Sequence, residues 1–192
     1  MPVAVRSIRA DARRNRERIV EAARAAFAEH GPEAQIDDIA RRAEVGVGTV
    51  YRHFPTKDAL IAELIRLKLT AIRDRARRKL AEGGDPGEAF RSFLREQADA
   101  IAKDAAQQRM IWAETEEAMA QVVPLHHEVG EAVGELIARA KEAGAVRPDL
   151  EVDDVRTLMC GLGAIMAVDA RSVMRFDWRR QLGFMMDGLR PR

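Results

Sequence analysis

Apolar residues recur along most of this chain at steps of three and four, the spacing that gathers side chains on one face of an α-helix. Ile19, Ala22, Ala23, Ala26 and Phe27 form such a stripe and predict a helix over 13–29, stopped by His30-Gly31-Pro32. A short helix over 36–43 turns Ile39, Ala40 and Ala43 inward, with Asp37 and Asp38 at its positive end. Glu44-Val45-Gly46 is long enough only for a turn. Val47, Val50, Tyr51 and Phe54 then predict a third helix closed by Pro55, since the residue before proline leaves the helical region. Thr56 suits the N-cap of a fourth helix over 57–81, with Asp58 in its first turn and Leu60, Ile61, Leu64, Ile65 and Ile72 on its apolar side.

Gly83-Gly84-Asp85-Pro86-Gly87 is the clearest break in the chain. Beyond it the pattern predicts helices over 88–103, 107–121, 125–143 and 151–170, with Pro124 separating the second and third and Gly144 ending the third. A last helix follows Asp177, a suitable N-cap, with Trp178, Leu182, Met185, Met186 and Leu189 on one face. Strand-like alternation persists nowhere, so the expected fold class is all-α: a three-helix unit joined by a long helix to a helical body.

Composition narrows the class. The 192 residues are 47% hydrophobic and 33% charged, which suits a well-cored globular protein and excludes disorder as the main state. No apolar run reaches the roughly 18 residues that span a bilayer, so no membrane partner is expected. The amino-terminal stretch lacks an apolar export core, and the single cysteine, Cys160, builds no disulfide framework; a cytoplasmic location is expected. Net charge is +1 overall, but residues 1–57 hold eleven Lys/Arg against eight Asp/Glu. Arg6, Arg9, Arg13, Arg14, Arg16, Arg18 and Arg24 crowd the leader, and residues 1–12 read as a basic arm. A basic end on a near-neutral body suits a polyanion touched at that end; a solvated tail has the same composition.

Two short helices across a tight turn, beside a basic flank, have the geometry that sets one helix in the major groove of DNA. Gly46 and Gly48 let backbone approach the bases. Val47 suits a thymine methyl and Thr49 a base edge or phosphate. Tyr51, Arg52 and His53 offer donors, and Lys57 at a helix N-terminus is placed for a phosphate. The same spacing also fits three packed core helices with Tyr51 and Phe54 simply buried.

The stretch Ile39-Ala40-Arg41-Arg42-Ala43-Glu44-Val45-Gly46-Val47-Gly48-Thr49-Val50-Tyr51-Arg52-His53-Phe54-Pro55-Thr56-Lys57 resembles the DNA-binding signature of TetR-family transcriptional regulators, closely from about 13 to 64. The resemblance implies a helix-turn-helix domain over 13–57 and a ligand-binding and dimerisation domain over 58–192. It implies a homodimeric repressor that leaves a double-stranded operator when a small molecule binds. Val47, Gly48 and Thr49 match its groove-facing positions, Tyr51, His53 and Lys57 its phosphate and base contacts, and Arg14 a backbone-contacting position. Two residues depart from the pattern. Glu44 stands where most relatives have glycine, and Gln35 stands at the usual Ser/Thr cap of the second helix.

The family dimerises through its last two helices. Gly161, Gly163 and Ala164 allow close helix approach there, and Trp178, Leu182, Met185, Met186 and Leu189 supply an apolar stripe; packing within the chain, with no partner, fits the same residues. An effector would lie among the middle helices, where Phe90, Phe93, Met110, Trp112, Met119, His127, Met159 and Met166 are the candidate lining; at helical spacing such residues equally fit plain core. His126 and His127 point about 100° apart on a helix, and no second cluster completes a metal site, so neither metal nor cofactor is expected. No phosphate loop, GxSxG, HExxH or spaced carboxylate pair argues for an enzyme. The rival reading is a helical ligand-binding or interaction module whose helix-turn-helix no longer reads DNA, and Glu44 and Gln35 are its only support.

Overall fold

The computed structural model describes residues 3–103, 115–169 and 177–191, and every regular element among them is a helix. In chain order the α-helices are α1 (Val3–His30), α2 (Ile36–Arg42), α3 (Val47–His53), α4 (Lys57–Glu82), α5 (Pro86–Lys103), α6 (Glu116–Ala120), α7 (Val123–Glu142), α8 (Val152–Asp169) and α9 (Trp178–Gly188), with a 3-10 turn over Gly31–Glu33 between α1 and α2. The described residues fall into two compact units, 3–66 with 115–122 and the remainder.

In the first unit, α1 packs on α2 and α3. Ile19, Ala23, Ala26 and Phe27 are fully buried, as are Ile39, Val50 and Leu60. At roughly 25 cal/mol for each Å² of apolar surface removed from water, this small core holds three short helices that would not persist alone. Thr56 caps α4 by accepting from the Ala59 N–H at 3.0 Å. Gln35 gives α2 no side-chain cap; its amide donates to the Glu33 carbonyl at 2.8 Å instead. Thr115 caps α6, accepting from the Ala118 N–H at 3.1 Å while its hydroxyl donates to Asp58 at 2.6 Å.

In the second unit, α5 packs against α7, α8 and α9. Its core takes Phe90, Phe93, Leu94 and Ala98 from α5, Val133, Leu136, Ile137 and Ala140 from α7, Val155, Met159, Leu162 and Met166 from α8, and Leu182 from α9. All recur at three- and four-residue steps. Gly144, at φ +63°, closes α7: the Ala145 N–H bonds to the Ala140 carbonyl and the Gly144 N–H to the Lys141 carbonyl. Asp177 caps α9 by accepting from the Arg180 N–H at 3.1 Å.

Some boundaries differ from the sequence expectation. Helix α1 begins at Val3 rather than near Arg13. The stretch 3–12 is rich in alanine and arginine and free of glycine and proline, so nothing in it stops the helix short of Val3. Pro124 does not separate helices; it lies in the first turn of α7, where its missing N–H has no helical partner to lose. Residues 104–114, most of the helix expected over 107–121, lie outside the described residues; what is described there is α6.

Candidate nucleic-acid interface

The turn between α2 and α3 decides how α3 is presented. Helix α2 ends in two reversed hydrogen bonds, Val45 N–H to the Ala40 carbonyl at 3.0 Å and Glu44 N–H to the Arg41 carbonyl at 3.1 Å. This closure places Glu44 at φ +52°, the one described non-glycine residue in the left-handed region. The conformation costs an L-residue about 1–2 kcal/mol relative to glycine. Arg18 of α1 offsets part of it, reaching the Glu44 carboxylate at 2.8 Å. Arg42 ties α2 to α1 through Glu29 at 2.6 Å and holds Asp38 at 2.7 Å. Those bonds help keep the Glu29 and Asp38 carboxyls below their usual range; for Asp38 the bond from Arg41 contributes most.

Helix α3 has two unlike faces. Val50 is fully buried and Phe54, at its C-terminal cap, nearly so. Gly46, Val47, Gly48, Tyr51 and Arg52 face solvent, and Thr49 and His53 are half-buried beside them. Val47 and Tyr51 remain 37% and 46% exposed, too much to be core side chains. A Cβ added at Gly46 or Gly48 would meet nothing within 4 Å, so both present bare backbone to open space. The outward row 47, 48, 51 and 52 is one helical stripe, narrow enough for a groove about 12 Å wide.

The base of this platform is held by a cluster that the sequence pattern does not reveal. Arg16 of α1 lies over the Phe54 ring, 5.2 Å from its centroid, and donates to Glu63 of α4 at 2.8 Å. Arg66 donates to the same carboxylate at 2.6 and 2.8 Å. Glu63 is only 6% exposed. Burial pushes its carboxyl up, but the bonds from Arg16 and Arg66 outweigh burial and hold it below the usual range. Arg16 and Glu63 lie far apart in sequence, so no local spacing signals the pair.

Other candidate residues fall as follows. Arg14 is exposed and pairs with Asp11 one turn earlier. Lys57 does not extend outward: its ammonium donates to the Pro32 carbonyl at 2.6 Å and sits 5.8 Å from the Phe27 ring centroid. Two of its three N–H donors remain for another acceptor. Phe90, Phe93, Met159 and Met166 belong to the apolar core of the second unit. Met119 is half-buried on α6 in the first unit, and His127 is exposed. Met110 and Trp112 lie outside the described residues.

The candidate dimer residues on the last two helices differ in burial. Leu182, Leu189 and Gly163 are buried within the chain itself. Trp178, Met185 and Met186 are partly buried against the same core. An apolar stripe marks which side of a helix is apolar, not whether its own chain already covers it. Gly161 and Ala164 are exposed, as are Ile165 at 41% and Phe184 at 56%, two residues the stripe does not pick out.

Residues 19–64 match the family model for bacterial regulatory proteins of the tetR family, and residues 85–191 match that for the C-terminal domain of SbtR-like transcriptional regulators. The chain is similar to the HTH-type transcriptional regulator UidR of Escherichia coli K12, 26% identical across 88% of this chain and 89% of that protein. A solved TetR transcription regulatory protein from Mycobacterium vanbaalenii is 36% identical, covers 95% of this chain and 99% of its own, and superposes with a TM-score of 0.64. Thermus thermophilus FadR, a TetR-family transcriptional repressor solved with lauroyl-CoA, is 25% identical over 90% of this chain and 91% of its own, with a TM-score of 0.59.

Proposed function

The chain belongs to the TetR family of bacterial transcriptional regulators, and on that footing we propose that it acts as a ligand-responsive repressor. As a homodimer it grips a palindromic operator with two copies of α3 and is released when a small molecule binds the helical body. The observation that carries this reading is the outward stripe of α3, Gly46-Val47-Gly48 with Tyr51 and Arg52, seated on a buried Val50 and Phe54. Surface that exposes a valine and a tyrosine beside bare backbone suits a partner with both apolar methyls and phosphates.

In this reading Val47 and Thr49 meet base edges from the major groove, Gly46 and Gly48 admit the backbone, and Tyr51, Arg52, His53, Arg14 and Lys57 hold phosphates. Operator reading falls to residues 13–57, effector binding and dimerisation to 58–192. The dimer face runs through Gly161, Ala164, Ile165 and Phe184. A two-fold dimer sets its recognition helices one helical turn of DNA apart, about 34–36 Å. The effector reading draws support from the lauroyl-CoA held by the related repressor. Operator and effector then oppose one another reciprocally, each favouring a different spacing of the two α3 helices.

Thr49→Ala and Tyr51→Phe, assayed by operator titration and by sedimentation, are expected to weaken DNA binding by about 1–3 kcal/mol each while leaving the dimer whole. Lys57→Ala is expected to lower the salt slope by about one unit per protomer. Undiminished binding by all three variants would remove α3 and its flank as the reading surface.

A further inference from the structure

A cleft of about 370 Å³ opens in the second unit between the first half of α5, the loop after α7 and the end of α9. Its floor is apolar: Phe90, Leu94 and Val146 are each no more than 5% exposed. Its rim carries Arg91, Arg95 and Arg190, with Asp187 as the lining carboxylate. The walls are fixed. The Arg147 N–H bonds to the Leu189 carbonyl at 2.9 Å, joining the loop to the chain end. Gly87 lets the start of α5 lie so near the loop that a Cβ there would sit 2.5 Å from Cβ of Ala145.

The rim has more donors than acceptors. Arg95 and Arg91 share one carboxylate, Glu88, at 2.7 and 3.0 Å, with Asp85 3.5 Å from Arg91. Arg190 has Asp187 at 2.9 Å. Each guanidinium offers five N–H groups, so most remain open to a further acceptor. A preformed apolar floor edged by a few fixed polar groups, in the volume range of small-molecule pockets, is the common form of a ligand site. We propose that this cleft binds a small organic anion, its apolar body on Phe90, Leu94 and Val146 and its acidic group on Arg91 and Arg95. The inference does not depend on the operator reading, and the floor shares only Phe90 with the candidate effector lining.

The test uses the full chain, methyl-labelled at methionine, with anilinonaphthalene sulfonate as probe and the uncharged phenylnaphthylamine as its control. Met186 lines the cleft, whereas Met159 and Met166 lie in the core and report binding elsewhere. The expected result is a saturable shift of the Met186 methyl by the sulfonate. Affinity should fall about tenfold in Arg91→Gln/Arg95→Gln and about tenfold for the uncharged control, and the control should bind both proteins alike. Both arginines are exposed enough for the variant to keep its fold, checked by its unfolding midpoint. An unmoved Met186 methyl overturns the proposal, as does undiminished sulfonate affinity in the double variant.

Discussion

Replacing Glu44 with glycine should stabilise the first unit, although it removes a side chain with a well-placed partner. Two terms compete. The backbone at Glu44 lies at φ +52°, where a residue with a Cβ costs about 1–2 kcal/mol and glycine costs nothing extra. Against that stands the bond to Arg18 at 2.8 Å. Its two side chains are 43% and 85% exposed, so the pair contributes about 0.5 kcal/mol. The net gain is about 0.5–1.5 kcal/mol, or about 2–4 °C per kcal/mol in the unfolding midpoint of a chain this size. Glu44→Ala separates the terms, since it loses the pair and keeps the strain; it should fall about 0.5 kcal/mol below the parent. The assay is urea unfolding followed by far-ultraviolet circular dichroism at low and high salt. The alanine deficit should fade in high salt and the glycine advantage over alanine should not. An alanine variant as stable as the glycine variant would refute the strain argument.

Glu63→Gln should lower stability at neutral pH by about 1–3 kcal/mol, because Arg16 and Arg66 lose a charged acceptor in a buried setting. The folded carboxyl lies below its usual value near 4.5, so its contribution is complete above that value and disappears as pH falls through the folded one. Stability measured against pH should therefore drop less on the acid side in the variant than in the parent; parallel curves would contradict the assignment. The last helix offers a paired test: Leu182→Ala should cost about 2–5 kcal/mol of folding stability. Phe184→Glu should leave the protomer folded and halve the mass seen by sedimentation. A monomer that unfolds in the second case would place Phe184 in the core.

The helical fold and the helix-turn-helix were legible because both rest on local pattern. The stripe of α1 from Ile19 to Phe27 and the caps at Thr56 and Asp177 appear where the spacing put them. The outward row of α3 follows from the same 3.6-residue period that turns Val50 inward. What stayed hidden depends on residues distant in sequence. Glu63 reads as an ordinary helix-surface glutamate until Arg16 is brought onto it, and Lys57 reads as an outward cation until the Pro32 carbonyl is seen beside it. On α9 the pattern left two readings open, a partner or the chain's own core, and Leu182 and Leu189 lie in that core. For α1 the miss was a boundary, since no glycine or proline between Val3 and Arg13 stops the helix. The arginine-rimmed cleft draws on three separated segments and has no sequence signature.

Reading of an operator by α3 from a dimer is tested by selecting binding sites from random duplex DNA and titrating the winner across a salt series. The expected outcome is a palindrome with half-sites one or more helical turns apart, bound with an affinity that falls steeply as salt displaces the phosphate contacts. Folded protein that enriches no sequence and binds DNA with a flat salt dependence would contradict it.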